Sequence, residues 1–115
     1  MENNCLFCKI AEKEIKSEII FENDNLIAFK DVNPQAPFHC LIIPRRHILS
    51  LNEIGSNDKS LLGEILLTAK EIAQKEKLSE KGYRIVNNMG EWGGQTVFHL
   101  HFHLLGKRMM KWPPG

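Results

Sequence analysis

Apolar positions recur at different spacings along the chain, and each spacing is typical of one kind of secondary structure. A short helix is predicted over residues 5–13, where apolar residues recur at helical spacing, namely Leu6, Phe7, Ile10 and Ala11. Residues 18–22 and 25–31 then predict two strands, EIIFE and NLIAFKD. The intervening Asn23-Asp24 favours a tight hairpin turn, because Asn and Asp tolerate a positive φ.

A third strand and a long helix are predicted in the middle of the chain. The run FHCLII, residues 38–43, follows a loop at 33–37 and predicts a strand that Pro44 ends. The long helix is predicted to begin near the Ser56-Asn57-Asp58 cluster, whose side chains suit an N-cap. One apolar stripe runs along this helix and is interpreted as core: Leu61, Leu62, Ile65, Leu66, Ala69, Ile72 and Ala73.

The remaining pattern predicts two strands, over residues 83–87 and 97–105, around a glycine-rich loop at 88–95. Because alternate residues of a strand share a face, the three histidines of HLHFH, residues 99–103, are predicted to form a row. The intervening apolar residues are predicted to face the core; they are Leu100, Phe102 and Leu104. The pattern predicts an α+β fold, an antiparallel five-stranded sheet with one long and one short helix, in a single domain over 1–115.

Composition excludes several classes of protein. The chain has 115 residues, 43% of them hydrophobic, which is enough for one buried core. Its formal charge is +1 with acids and bases intermixed, which argues against a nucleic-acid-binding surface. No apolar run is long enough for a membrane span, and the N-terminus lacks a secretory signal pattern. Three cysteines without such a signal predict a reducing compartment, the cytoplasm.

The row of histidines suggests phosphoryl chemistry. Imidazole acts as nucleophile, acid, base or metal ligand near neutral pH. Directly upstream, Gly93-Gly-Gln-Thr96 is a loop whose backbone N–H groups can approach an anion closely, with donors from Gln95 and Thr96. One histidine would attack phosphorus while another supplies a proton. A merely solvated polar face and a three-histidine metal site are the alternatives.

These residues resemble the histidine triad (HIT) family of nucleotide-binding proteins, whose HxHxHxx signature matches HLHFHLL from His99. The resemblance extends over nearly the whole chain, through CLFCKI, AFKDVNPQAPFHCLIIPRRHI, GGQTVFHLHFHLLG and the terminal WPPG. The middle block and WPPG look specifically like the Hint branch, which hydrolyses purine nucleoside phosphoramidates. The resemblance therefore implies a purine nucleotide substrate and a homodimer whose two sheets join into one.

The same resemblance implies distinct roles for the histidines. His101 matches the nucleophile, which forms a covalent nucleotidyl-histidine with the α-phosphorus. His103 matches the histidine at the α-phosphate and leaving group, and His99 the one that supports the nucleophile's environment. His39 matches a fourth family histidine, although its neighbour here is Phe38 where many relatives have a small residue. A hydrogen-bonded core histidine is the alternative interpretation of His39.

Further substrate-binding residues are implied by position. Thr96 stands where the Hint branch has a phosphate-binding serine, and Asn88 and Gly94 match other phosphate-side positions. Asp31 matches the carboxylate that binds the ribose hydroxyls, with a turn-capping role as its alternative. The purine would lie between apolar walls that could equally be core residues: Phe7, Phe29 and Val32.

Cys5 and Cys8 form a CxxC motif that could begin a metal site. Some relatives pair such a motif with two histidines, which match His47 and His99 here, and the set implies a structural zinc. A pair of buried thiols and a redox pair are the alternatives. If zinc is bound, His99 is a ligand and takes no part in proton transfer.

Two other functions stay open at this point. The spelling Gln95-Thr-Val97 is that of the fragile-histidine-triad branch, which splits dinucleoside polyphosphates. A nucleotide-binding scaffold with incidental hydrolysis is the second, although every catalytic position that can be matched is intact.

Overall fold

One five-stranded antiparallel sheet organises the fold. A computed structural model describes residues 4–115. The strands are β1 (Ile19–Glu22), β2 (Leu26–Lys30), β3 (Phe38–Pro44), β4 (Tyr83–Val86) and β5 (Phe102–Gly106). They lie in the order β1-β2-β3-β5-β4, and every neighbouring pair is antiparallel. The predicted α+β class with a five-stranded antiparallel sheet is confirmed.

Helices cover the two faces of this sheet. The long α2 (Lys59–Lys75) packs on one face and the short α1 (Leu6–Ala11) lies against the other. Alternation along β2 separates the faces, since Leu26 and Ala28 join the α2 side while Ile27 and Phe29 join the α1 side. The central β3 is buried at every position, which explains its nearly continuous apolar sequence.

The long helix buries most of the predicted stripe. Ile65, Ala69, Ile72 and Ala73 are buried, and Leu61 and Leu62 are partly buried against the same cluster. Leu66 was predicted in this stripe, but it is 48% exposed because it directly follows Ile65 and lies about 100° further around the helix.

The predicted N-cap cluster has a different role from the one expected. Residues Ser56–Asp58 form a 3-10 turn before α2, and Asp58 makes no side-chain cap on the helix. Its carboxylate instead accepts a hydrogen bond from the Gly55 N–H and pairs with Arg46. The Asp58 side chain therefore closes the turn before α2 and makes no hydrogen bond to the N–H groups of the first turn of α2.

The histidine-bearing segment is less regular than predicted. The expected strand over 97–105 becomes β5 only at Phe102. Upstream, the Leu100 N–H donates to the carbonyl of Ile48 at 2.6 Å, in the loop after β3 instead of a neighbouring strand. The glycine-rich loop also contains a four-residue helix, α3 (Gly90–Gly93), ended by Gly94 at φ 83°.

Within residues 4–115, no helix is long and apolar enough to cross a membrane.

Candidate active site

A cleft of about 580 Å³ lies between α1 and the sheet. Strand register brings its floor together, because Phe29 pairs with Leu41 and Leu41 pairs with His103 on adjacent strands. Eight of the residues predicted to bind substrate or react line this cleft: Phe7, Phe29, Asp31, Val32, His39, Thr96, His101 and His103.

His101 is buried, and one of its ring nitrogens is committed to the backbone. Its Nδ1 lies 2.7 Å from the carbonyl oxygen of His99. Because a carbonyl only accepts, Nδ1 carries the proton and donates it, and the lone pair of the neutral ring is on Nε2. Burial lowers the pKa of His101, despite opposing effects of the His99 carbonyl and Asp31. The ring is therefore neutral near pH 7, with a nucleophilic Nε2.

A chain of hydrogen bonds fixes the protons on the other two histidines of the cleft. The backbone N–H of Gln35 donates to His39 Nδ1 at 3.0 Å, so the proton of neutral His39 is on Nε2. His39 Nε2 lies 2.9 Å from His103 Nδ1, to which it donates. His103 must then carry its own proton on Nε2. Each ring is thereby held in one tautomer by a chain that begins at the backbone.

Burial keeps both of these rings uncharged. Desolvation lowers the pKa of His39, with a smaller opposing effect of Asp31. Desolvation, reinforced by repulsion from His101 and His39, lowers the pKa of His103 to about 4. Asp31 Oδ2 lies 3.5 Å from His39 Nε2, while its Oδ1 accepts from the Asn33 N–H. The Asp31 carboxylate therefore caps the turn and also lines the cleft.

Aromatic side chains form one wall of the cleft. The rings of Phe7 and Phe29 meet edge to face with centroids 5.4 Å apart, and Phe7 meets His101 in the same way at 5.0 Å. Both phenylalanines also belong to the apolar cluster under α1, so each is a core residue and a lining residue of the cleft at the same time. Val32 is 95% exposed and lies only at the rim.

A second cluster lies on the other side of Phe7 and contains the four residues expected to hold a metal: Cys5, Cys8, His47 and His99. Their ligand atoms all lie within 4.8 Å of one another. His99 Nδ1 is 3.2 Å from His47 Nδ1 and 3.3 and 3.5 Å from the two sulfurs of Cys5 and Cys8. A tetrahedral zinc with ordinary bond lengths separates its ligands by about 3.3 Å for two nitrogens and about 3.6 Å for nitrogen and sulfur.

The proton positions of this cluster also fit a metal. His99 Nε2 lies 2.8 Å from the carbonyl oxygen of Pro44 and donates to it, which leaves a lone pair on Nδ1 facing the cysteines. Such a bond from the outer nitrogen is the usual support of a metal-binding histidine. Burial lowers the pKa of His99 to about 4, so the lone pair is available at neutral pH. Geometry and tautomer together suit a four-coordinate ion.

Asp31, His39 and His103 are also close enough to share an ion. The proton on His39 Nε2 removes the lone pair that such an ion needs, so hydrogen bonding accounts for this group better than a metal does.

Comparison with known proteins identifies the family. The HIT domain model matches residues 12–110. The chain belongs to the HIT family. It is 51% identical to a HIT-like protein of Synechococcus elongatus over the whole of both chains. It is also similar to the crystal structure of a HIT family hydrolase from Legionella pneumophila, with TM-score 0.96, 55% identity and 97% and 100% of the two chains covered. A histidine triad nucleotide-binding protein from Candida albicans has TM-score 0.82 and 34% identity, with 96% of this chain and 83% of that chain covered.

Three other residues predicted to bind substrate do not line the cleft of this HIT protein: Asn88, Gly94 and Gln95. The Gln95 amide, expected as a phosphate donor, is buried and bound to backbone groups. It accepts from the Gly90 N–H and donates to the carbonyls of Leu49 and Val97. Its side chain therefore holds the glycine-rich loop in place.

The HIT protein also has two site residues that the sequence analysis missed. Gln35 sets the tautomer of His39 through its backbone, which no residue pattern can indicate. Asn87 Nδ2 donates to the carbonyl oxygen of His101 at 2.9 Å, while Asn87 Oδ1 is buried without a hydrogen-bond partner among the described residues. The only signal for Asn87 was its place at the end of the predicted fourth strand.

Proposed function

We propose that this protein is a hydrolase of purine nucleoside phosphoramidates, of the Hint-like branch. The observation that carries the proposal is the orientation of His101, whose protonated Nδ1 is bound to the His99 carbonyl so that its unprotonated Nε2 is available in the cleft. A neutral, oriented imidazole is what nucleophilic attack on phosphorus requires.

The reaction proceeds in two steps. His101 Nε2 attacks the α-phosphorus, the bond from phosphorus to the leaving nitrogen breaks, and the departing nitrogen takes a proton from solvent while the Nε2–H of neutral His103 hydrogen-bonds it and stabilises its charge. Water then attacks the phosphorus of the nucleotidyl-histidine, the bond to His101 Nε2 breaks, and the nucleoside monophosphate is released with a proton returned to solvent. His39 keeps His103 Nδ1 occupied, which directs the N–H of His103 to the cleft.

The remaining lining residues support binding of a nucleoside. Phe7 and Phe29 would form the apolar wall against the purine, with Val32 at the rim. Asp31 would accept hydrogen bonds from the ribose hydroxyls and the Thr96 hydroxyl would donate to phosphate, since both residues line the cleft. The three predicted residues that do not line the cleft would instead support the loop that carries Thr96; they are Asn88, Gly94 and Gln95.

We also propose that the cluster of Cys5, Cys8, His47 and His99 binds structural zinc, since all four ligand positions are taken by protein atoms. The ion would join α1 to the segment preceding β5. Zinc thiolates need reduced cysteines, which agrees with the expected cytoplasmic location.

A homodimer completes the proposal. Strand β4 lies at the edge of the sheet with one side unpaired among the described residues, as joining two sheets requires. Sedimentation equilibrium should give twice the mass of one chain. A single-chain mass at micromolar concentration would refute the dimer.

Replacement of the nucleophile tests the central claim. His101→Gly should abolish hydrolysis of an adenosine phosphoramidate and leave AMP binding within a few fold of wild type. Mass spectrometry of rapidly quenched wild type should detect a nucleotidyl adduct on His101. If His101→Gly turns over at near wild-type rate, the nucleophile is another residue.

Thr96 favours a second candidate function, because the motif Gln95-Thr-Val97 resembles that of dinucleoside polyphosphate hydrolases. Comparing kcat/KM for an adenosine phosphoramidate and for diadenosine triphosphate distinguishes the two. The proposal requires the phosphoramidate to be the better substrate. Tight purine nucleotide binding with neither turnover nor adduct would instead indicate a scaffold.

A further inference from the structure

A second cleft, of about 590 Å³, lies beyond the carboxyl end of α2 and shares no lining residue with the histidine cleft. Residues from two turns of the chain line it: Lys77, Leu78, Lys81, Gly82, Lys107, Arg108 and Met109. The first turn follows α2, and the second follows β5. We refer to it as the basic cleft.

The charge of the basic cleft contrasts with the rest of the chain. Four of its seven lining residues are cationic and none is anionic, in a protein of net charge +1. None of the four forms an ion pair within residues 4–115, although other cations of the chain do. The acidic residues nearest in sequence, Glu76 and Glu80, do not line the cleft. The positive charge is therefore concentrated and uncompensated.

Arg108 is held in place at the wall of this cleft. Its Nε donates to the carbonyl oxygen of Gln35 at 3.0 Å, and its Nη1 donates to the carbonyl of Met109 at 3.2 Å. Guanidinium has five N–H donors, so donors remain for a ligand after these two bonds form. A guanidinium fixed by backbone carbonyls binds a phosphate with less loss of side-chain entropy.

Two of the lysines occupy backbone positions that favour glycine. Lys77 has φ 64° and Lys107 has φ 67°, both in the left-handed region. A side chain there costs roughly 1 kcal/mol relative to glycine. Both positions contribute a cation to the same cleft, and glycine can replace either lysine without backbone strain.

We propose that the basic cleft binds a small anion with linked phosphate groups, of the inorganic polyphosphate or nucleoside polyphosphate class. Four cations match the three to five negative charges of such a chain, and the volume accommodates several phosphates. Met109, which is exposed, adds a limited apolar surface. This site does not depend on the function proposed for the histidine cleft.

Calorimetric titration of the full-length protein with inorganic tripolyphosphate tests the proposal. The double variant Lys77→Gly/Lys107→Gly removes two charges from positions where glycine is conformationally favoured, so the fold should be retained. We expect its affinity to fall at least tenfold, and wild-type affinity to weaken as salt is raised. Parallel titration of wild type and the double variant with ATP distinguishes the sources, since tighter binding of ATP that the double variant loses indicates that the exposed Met109 contacts a nucleoside.

Two controls locate the binding site. Lys13→Gly also removes a left-handed lysine, at φ 63°, but Lys13 lies after α1 and outside the basic cleft. Saturating AMP occupies the histidine cleft of the wild-type protein. Tripolyphosphate should bind with wild-type affinity to Lys13→Gly and to wild type in the presence of AMP. The proposal is overturned if wild type shows no binding at millimolar tripolyphosphate, if the double variant binds as wild type does, or if AMP alone abolishes tripolyphosphate binding.

Discussion

The histidines of this protein have the same side chain and different chemistry, because each ring has one nitrogen bound in a different way. His101 and His99 donate to backbone carbonyls through opposite ring nitrogens, Nδ1 in the first and Nε2 in the second. His39 accepts a hydrogen bond from a backbone N–H at Nδ1 and donates one from Nε2 to His103 Nδ1. Backbone groups thus decide which nitrogen of each ring carries the proton and which has the free lone pair.

Burial of His103 makes folding stability depend on pH. The pKa of this ring is lowered from 6.5 to about 4 in the folded protein, so the unfolded chain binds more protons between those values. The stabilising contribution is complete above pH 6.5 and is lost as the pH falls toward 4. Lowering the pH from 7 to 5 should therefore reduce the free energy of unfolding by about 2 kcal/mol through protonation of this single group in the unfolded chain.

The matched variant for this measurement is His103→Asn, which cannot titrate in the range. Urea unfolding at pH 7 and pH 5 should show a loss of stability that is about 2 kcal/mol smaller in the variant than in wild type. An equal loss in both proteins would mean that His103 has an ordinary pKa in the folded state.

Asn87 gives a second prediction at the scale of single residues. Its amide holds the His101 carbonyl, and replacement leaves that oxygen without its donor. Asn87→Leu should lower kcat for a phosphoramidate about tenfold, equivalent to about 1.4 kcal/mol of lost positioning, with KM little changed. Unfolding free energy should fall by about 1 kcal/mol, because the His101 carbonyl loses its buried donor while removal of the unpaired Asn87 Oδ1 offsets part of that cost.

Asn87→Asp separates positioning from packing. It keeps the shape of the side chain but directs an oxygen at the His101 carbonyl, so its kcat should fall further than that of Asn87→Leu. A kcat unchanged in both variants would show that Asn87 has no part in orienting the nucleophile.

At the scale of elements, hydrophobic pattern was sufficient wherever packing against one face determined the structure. The strands of the hairpin, β3 and α2 were predictable because their apolar residues face a single layer or, in β3, both layers. The positive φ expected at Asn23-Asp24 was wrong, since neither residue has one; the Asn23 side chain closes the turn instead by accepting from the Asn25 and Leu26 N–H groups. The segment before β5 was not, because its backbone binds the loop at Ile48 instead of a neighbouring strand. Alternation alone cannot distinguish these two partners, and it overestimated the length of the strand.

Contact between the turn after α2 and the sheet depends on a glycine in β5. A Cβ placed on Gly106 would lie 2.8 Å from both Cδ atoms of Leu78, which is too close for the packed core at that point. Gly106→Ala should therefore lower the free energy of unfolding by about 1–3 kcal/mol. Gly63→Ala in α2 is the matched control, since its Cβ meets nothing within 4 Å and a helix favours alanine by about 1 kcal/mol. Chemical denaturation should give shifts of opposite sign, and a stabilising Gly106→Ala would mean that Leu78 yields freely.

At the scale of the whole molecule, the candidate metal cluster and the histidine cleft are neighbours, because histidines two residues apart in sequence belong one to each. His99 belongs to the first and His101 to the second, and the Phe7 ring contacts both, at 6.0 and 5.0 Å between centroids. Resemblance in the sequence indicated the four residues of the metal cluster and eight of the eleven residues predicted for the cleft. It could not indicate the proton positions, which depend on backbone atoms of Gln35 and Pro44 that any residue type provides.

Removal of the proposed zinc should consequently loosen α1 and the histidine segment together. The four ligand positions come from three segments far apart in sequence, so an ion there would constrain the unfolded chain and fix three parts of the fold. We expect one zinc per chain by mass spectrometry, and a thermal midpoint lowered by several degrees after chelation and restored by zinc. Hydrogen exchange should rise in residues 6–11 and 97–101 and remain unchanged in α2. Cys8→Ser should reproduce these effects without chelator, whereas Cys40→Ala, in the opposite core cluster, should lower stability and keep its zinc. Full zinc content in Cys8→Ser, or a chelated protein with unaltered exchange in α1, would show that thiol packing and hydrogen bonds hold this cluster together.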